Sequence, residues 1–92
     1  MIDVKQAVTS AVASANDLLG DRQIRDVALE EVQMSEDGRL WLITIGFYAP
    51  PRPDQANTLS DLFPRVNLER QFKMFEVDAE TGKVKSMKIR KV

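Results

Sequence analysis

The chain has 92 residues, with 13 Lys and Arg against 14 Asp and Glu, and it contains neither Cys nor His. This length fits one domain, and hydrophobic residues at 43% with charged residues at 29% are typical of a folded globular chain. Without Cys or His the chain has no disulfide, no thiol nucleophile, no Ser-His-Asp triad and no usual zinc ligand. We therefore expect a single domain over residues 1–92 that needs no metal and no cofactor.

The sequence contains no segment that is typical of export or membrane insertion. Residues 1–5 do not form a basic region followed by an apolar run. The most apolar stretch, residues 40–47, is far shorter than the roughly 20 residues that a membrane-spanning helix needs. We expect a cytoplasmic protein with no membrane contact.

The first element is predicted to be an amphipathic helix over residues 4–19, where apolar residues recur with helical spacing. Asp3 is the expected N-cap, and Gln6 completes a capping box with it. Gly20 is expected to end the helix in the left-handed conformation. Because one amphipathic helix cannot bury its apolar face alone, we expect a sheet to pack against it.

The apolar spacing of residues 27–48 predicts a β-hairpin. The first strand, 27–34, changes phase midway, and a β-bulge near Glu30 and Glu31 would return its apolar residues to one face. An Asp-Gly pair within 35–38 predicts the turn. One face of the second strand then carries large apolar residues that we assign to the core: Trp41, Ile43, Ile45 and Phe47.

The opposite face of this second strand is too apolar for simple contact with water. Its residues are Leu40, Leu42, Thr44, Gly46 and Tyr48. The pattern predicts either a homodimer or partner-binding surface, or a surface covered by the following loop, with Leu59, Leu62 and Phe63 folded over it. The sequence leaves both interpretations open.

Residues 49–68 are predicted to form a long loop between two hairpins, because their four prolines, Pro50, Pro51, Pro53 and Pro64, prevent a continuous strand. Connections of this length in a small domain are often functional. The segment 50–53 could adopt a polyproline II helix that docks in an aromatic groove of a partner, with Arg52 fixing the orientation. The alternative, which we favour, is a stiff linker.

A second hairpin is predicted over residues 70–91. Its first strand, 70–78, again changes phase, and Gly82 is expected in the left-handed conformation of the turn. The final strand is basic, with Lys83, Lys85, Lys88, Arg90 and Lys91. It is either an edge strand that its lysines protect from pairing with other chains, or a phosphate-binding surface for nucleic acid. We favour the edge strand because no nucleic-acid-binding motif accompanies the charges.

The closing hairpin resembles that of PepSY-type domains. In both, an aromatic-x-Val-Asp strand, here Phe75 to Asp78, turns through Thr-Gly, here Thr81 and Gly82, and returns as a short strand at Val84. The preceding helix and first hairpin are similar to the PepSY core, within the broader cystatin-like architecture, while residues 49–68 have no counterpart. The resemblance implies a non-catalytic binding or inhibitory module, and it carries over no catalytic residues.

The elements together predict an α+β fold, with one N-terminal helix on a four-stranded antiparallel sheet made of two hairpins. Carboxylates are available for acid-base chemistry, namely Asp26, Glu30, Glu31 and Glu76. A bulged or solvated strand explains the adjacent pair Glu30 and Glu31, and the glycines do not form a phosphate-binding loop. We therefore expect no enzymatic activity.

The expected function is that of a protein-interaction module that regulates or inhibits a partner protein. The predicted partner-binding residues lie on the loop and the second strand: Leu42, Tyr48, Arg52, Leu59, Leu62 and Phe63. One alternative is a nucleic-acid-binding protein that uses the basic final strand. Another is a small-ligand carrier whose pocket Tyr48 or Arg70 could line.

Overall fold

A computed structural model describes residues 1–49 and 69–90. It contains one long helix, a short 3-10 turn and four strands: α1 (Val4–Leu19), the 3-10 turn (Gly20–Arg22), β1 (Arg25–Met34), β2 (Leu40–Ala49), β3 (Glu69–Asp78) and β4 (Val84–Ile89). The strands form one antiparallel sheet in the order β1-β2-β3-β4, and α1 packs on one face of it. The predicted α+β fold is confirmed. The predicted loop starts one residue too early, because Ala49 is the buried last residue of β2.

The helix begins at the predicted capping box. The backbone N–H of Gln6 donates to Asp3 Oδ1 over 2.8 Å, and the backbone N–H of Asp3 donates to Gln6 Oε1 over 2.9 Å. The buried stripe of α1 is small, consisting of Ala7, Ala11, Ala15 and Leu19, which lets the helix approach the sheet closely.

The predicted end of the helix is wrong in one respect. Gly20 has a φ of −57°, which is right-handed, so the chain continues into the 3-10 turn. The left-handed residue is Gln23, with a φ of 56°, and its N–H donates to the carbonyl of Gly20 over 3.2 Å. Glycine is free to adopt either hand, and here the additional turn moves the reversal three residues along the chain.

The core lies between α1 and the two central strands. Its largest fully buried side chains are Phe47, Phe75, Ile43, Ile45 and Val77. Trp41 is half-buried on the same face and packs against this cluster. The core face predicted for β2 is therefore confirmed.

A β-bulge in β1 lies where the change of phase predicts it. Leu29 pairs with Ile45 and Glu31 pairs with Thr44, so Glu30 is an extra residue on β1. A second irregularity, which the pattern does not predict, lies between Arg25 and Ala28, where Asp26 has a φ of 54°.

The change of phase in β3 has a different cause. β3 pairs with β2 without a register shift over its whole length. Phe75 and Val77 therefore face α1, whereas Phe72 and Met74 lie on the opposite face of the sheet. The strand is apolar on both faces rather than bulged.

β4 is an edge strand, as the lysine-rich pattern favours. It also contains a bulge, because Val77 pairs with Val84 while the neighbouring Glu76 pairs with Ser86. Gly82 has the expected left-handed conformation, with a φ of 77°.

The N-terminal residues anchor the helix to one end of the sheet. The backbone N–H of Ile2 donates to the carbonyl of Ala79 over 2.7 Å, and Trp41 Nε1 donates to the carbonyl of Ile2 over 3.4 Å. A Cβ added to Gly82 would lie 3.6 Å from Ile2 Cδ1, so the isoleucine packs against the β3–β4 turn.

Candidate binding face

The sheet face opposite α1, which we call the open face, brings together the second face of β2 and the outward residues of its neighbours. Within the described residues it has no second layer, because the one long helix covers the other side. The open face contains Arg25, Ala28, Glu30, Glu31 and Gln33 of β1, Leu40, Leu42, Thr44, Gly46 and Tyr48 of β2, Arg70, Phe72, Met74, Glu76 and Asp78 of β3, and Ser86, Lys88 and Arg90 on the β4 side.

An arginine–aromatic cluster occupies one end of the open face. Arg70 pairs directly with Tyr48 in the sheet, and its guanidinium carbon lies 5.1 Å from the centre of the Tyr48 ring and 5.5 Å from that of Phe72. These distances are in the range of cation–π contacts. A Glu30 carboxylate oxygen accepts a hydrogen bond from the same guanidinium. The arginine is therefore held in place from three sides.

Gly46 makes room for this cluster. A Cβ at this position would lie 2.6 Å from Glu30 Oε1 and 2.8 Å from Arg70 Nη2. These distances are too short for non-bonded atoms, so the ion pair crosses β2 directly over the missing side chain. The glycine is needed for this close approach rather than for a turn.

A second ion pair spans the middle of the open face. Arg90 Nη1 donates to Glu31 Oε1 over 2.6 Å, and Nη2 donates to Glu31 Oε2 over 3.1 Å. Nη1 also donates to the buried hydroxyl of Thr44 over 3.0 Å. Arg90 follows β4 and Glu31 lies in β1, so this two-pronged contact ties together the two edges of the sheet.

The bulge in β1 explains why two adjacent carboxylates serve two different arginines. In a regular strand, neighbouring side chains point to opposite faces. The extra residue at Glu30 allows both Glu30 and Glu31 to project onto the open face, where each meets its own guanidinium.

Two carboxylates of β3 pair with basic residues of β4. A hydrogen bond from the Ser86 hydroxyl, together with Lys88, whose Nζ lies 3.2 Å from a carboxylate oxygen, holds the pKa of Glu76 below its usual value. Backbone hydrogen bonds from Thr81 and Glu80 are the main reason that the pKa of Asp78 is lowered, and Lys85 Nζ lies 3.6 Å from it. Both groups are therefore ionised at neutral pH.

The predicted partner-binding residues divide into two groups. Leu42 and Tyr48 lie half-buried on the open face. The other four, Arg52, Leu59, Leu62 and Phe63, lie outside the described residues. The interpretation of this face as covered by the loop is left untested for the same reason.

The predicted basic surface is largely neutralised where it is described. Lys85, Lys88 and Arg90 each lie within ion-pair distance of a carboxylate on β1 or β3. Lys83 is exposed in the β3–β4 turn, and Lys91 lies outside the described residues.

Phe72 and Met74 were missed as members of the candidate site. The sequence feature that points to them is the change of phase in β3. Either a bulge or a strand that is apolar on both faces would explain it. Tyr48 and Arg70, each offered as a pocket residue by the carrier alternative, contact each other on the open face of the sheet.

The described residues contain no group of three or more Asp or Glu side chains arranged to hold a metal ion. No helix within residues 1–49 or 69–90 is long and apolar enough to cross a membrane. No family model, no curated protein and no solved structure matches this chain. Function is therefore inferred from the residues of the open face.

Proposed function

We propose that this chain is a non-catalytic protein-interaction module that binds a partner protein through the open face and the adjoining segment 49–68. The observation that carries the proposal is the cluster of Arg70 with Tyr48 and Phe72. Arginine and aromatic residues contribute most of the binding energy in many protein interfaces. Because Glu30 and the two rings already hold the guanidinium, little side-chain entropy is lost when a partner covers it.

The neighbouring residues fit the same role. Leu42 and Met74 supply half-buried apolar area on the open face, and the ion pairs of Glu31 and Glu76 lie beside it. Protein interfaces combine apolar side chains with polar and charged ones. The resemblance to PepSY-type domains supports a regulatory or inhibitory effect on the partner.

Nucleic-acid binding is supported less well. A phosphate backbone requires cations that are free to displace its counterions. Lys85, Lys88 and Arg90 already neutralise carboxylates of the same sheet, so few positive charges of β4 are free for phosphate groups.

The test uses the full chain as bait in an extract of its host. The variants are Tyr48→Ala with Phe72→Ala for the open face, Arg52→Ala with Leu62→Ala for the loop, and Leu18→Ala as a control for an exposed leucine on α1, 61% accessible. A partner captured by the wild type is purified, and its affinity for each variant is measured by calorimetry.

We expect the open-face variant to lose affinity at least tenfold and the control to lose none. Equal affinity of all variants for the purified partner would overturn the role of the open face. Binding that nuclease treatment abolishes would favour the nucleic-acid alternative. Sedimentation at two protein concentrations tests self-association, and an open-face dimer would dissociate in the Tyr48→Ala, Phe72→Ala variant.

A further inference from the structure

Among the described residues, Arg25 is the one arginine of the open face without a carboxylate partner. It pairs with Tyr48 in the sheet, and Tyr48 pairs in turn with Arg70, so the three side chains form one row across β1, β2 and β3. Arg70 and Arg90 each form an ion pair, whereas no carboxylate within residues 1–49 or 69–90, that of the neighbouring Asp26 included, lies within ion-pair distance of Arg25. The exposed Arg25 is therefore free to contact an external group.

Arg70 also has unused hydrogen-bond donors. A guanidinium has five N–H donors, and within the described part of the chain that of Arg70 donates one hydrogen bond, from Nη2 to Glu30. The side chain of Arg70 is 29% exposed. Its guanidinium reaches across β2 to Glu30 on β1, the strand that also carries Arg25. Both arginines can therefore meet one acceptor above Tyr48.

The charges of this row select a single carboxylate. Arg25 and Arg70 carry two positive charges against the one negative charge of Glu30, which leaves one positive charge unbalanced. A carboxylate balances it and can accept hydrogen bonds from both guanidiniums. A phosphate group carries a charge of about −1.5 to −2 and would be repelled by Glu30. An amine would be repelled by Arg25.

The unbalanced charge is confined to this end of the open face. Elsewhere on the face the described carboxylates have basic partners, namely Glu31 with Arg90, Glu76 with Lys88, and Asp78 with Lys85. From the Arg25 row the face continues over Phe72 to Met74 and Leu42, so a partner surface can cover it. An acidic side chain that projects from such a surface fits the row better than the end of a chain does.

We propose that Arg25 and Arg70 together bind an aspartate or glutamate side chain of the partner protein, with a neighbouring apolar side chain of that partner on Phe72. The carboxylate lies between the two guanidiniums above Tyr48, while Glu30 keeps Arg70 in place. This inference rests on the proposed function of the open face. It adds the chemistry of the partner, and it makes Arg25 the residue that selects an acidic one.

The first test follows the Nε–H NMR signals of the arginine side chains in the isotope-labelled full chain. The probe is the capped dipeptide acetyl-Glu-Leu-amide, which carries one carboxylate and one apolar side chain. Acetyl-Gln-Leu-amide is its neutral isostere, and the corresponding phosphoserine dipeptide carries more negative charge. Arg39, which is exposed in the β1–β2 turn at the other end of the sheet, is the internal control. The variant Arg25→Gln is compared with Arg39→Gln.

We expect the glutamate dipeptide to shift the signals of Arg25 and Arg70 with saturation below about 20 mM, and to bind at least threefold more tightly than the other two dipeptides. Arg25→Gln should abolish this preference, and Arg39→Gln should preserve it. The proposal is overturned by the absence of a saturable shift in this range, by equal binding of the glutamine dipeptide, or by equal shifts of Arg39. Tighter binding of the phosphoserine dipeptide would also overturn it and assign the row to phosphate groups.

The second test uses the partner purified with the wild-type chain. Arg25→Gln should weaken the affinity for this partner at least tenfold, because the loss of one member of a covered charge pair leaves the other unpaired, and Arg39→Gln should not change it. An affinity that falls in the Tyr48→Ala, Phe72→Ala variant but not in Arg25→Gln would overturn the carboxylate contact and leave the open-face function intact. An affinity that falls in neither would overturn both.

Discussion

Among single residues, Gly46 has the most direct influence on the open face. Its missing side chain allows the pair of Glu30 and Arg70 to cross β2, where a Cβ would come within 2.9 Å of Glu30 Cγ as well as of the charged atoms. Glycine in a strand interior weakens the strand, because it loses more backbone entropy on folding than other residues. The ion pair above Gly46 therefore explains why a glycine occupies this position in the strand.

Replacement of Gly46 by Ala should destabilise the protein by about 1 kcal/mol, since overpacking displaces the ion pair. In the background of Glu30→Ala, the same replacement should cost less than half as much or become stabilising, because two of the three contacting atoms are gone. Urea unfolding of the wild type, of Gly46→Ala, of Glu30→Ala and of the double variant measures the cost of Gly46→Ala in both backgrounds. An equal cost in the two backgrounds would show that the constraint at Gly46 comes from the backbone and not from Glu30.

Among the elements, β1 has the largest effect on the candidate site, because its bulge sets which side chains reach the open face. Because side chains alternate along a strand, one inserted residue moves every following side chain to the opposite face of the sheet. Removal of Glu30 would therefore restore regular pairing between Ala28 and Met34, with Leu29 and Val32 still facing α1. The bulge can be deleted without exchanging the two faces.

Deletion of Glu30 should give a folded protein that is destabilised by at most about 1 kcal/mol, the upper end of the range for a partly exposed ion pair. Deletion of Thr44, which lies opposite Glu31 in β2, should prevent folding because it turns Ile45 and Phe47 away from the core. NMR signal dispersion and thermal unfolding distinguish a folded Glu30 deletion from an unfolded Thr44 deletion. The variant Glu30→Ala serves as a control for the ion pair alone, and an unfolded Glu30 deletion would mean that the bend itself is required.

Features set by local spacing could be predicted from the sequence, whereas cross-strand partners could not. The capping box at Asp3, the bulge at Glu30 and the left-handed Gly82 each follow from residues close together in the chain. The two arginine ion pairs of the open face join residues 40 and 59 positions apart. Their formation depends on the order of the strands, which the local pattern does not contain.

At the scale of the whole molecule, the two hairpin turns meet at one end of the sheet and are joined there. The backbone N–H of Ala79 donates to the carbonyl of Arg39 over 2.9 Å. At each turn, a carboxylate with a lowered pKa accepts hydrogen bonds. A hydrogen bond from the Ser35 hydroxyl, followed by one from the Arg39 backbone, lowers the pKa of Asp37, and backbone N–H groups do the same for Asp78.

These pKa shifts predict acid destabilisation. Because the pKa of each carboxyl is lower in the folded state than its usual 3.8, its stabilising effect is complete above that value and is lost as the pH falls through the folded pKa. The midpoint of thermal unfolding should fall below about pH 4, and less steeply in Asp78→Asn. Asp17→Asn, an exposed change on α1, is the control. A midpoint that falls equally steeply in Asp78→Asn and the wild type would contradict a role for Asp78.

The contact between Trp41 and Ile2 makes the chain its own spectroscopic reporter. Trp41 is the single tryptophan, and its indole N–H donates to the backbone of the residue that leads into α1. Its fluorescence therefore reports whether the start of the helix is attached to the sheet, while circular dichroism reports the secondary structure of the helix and of the sheet. Agreement or divergence of the two signals during unfolding separates detachment of the helix from loss of the sheet without any added label.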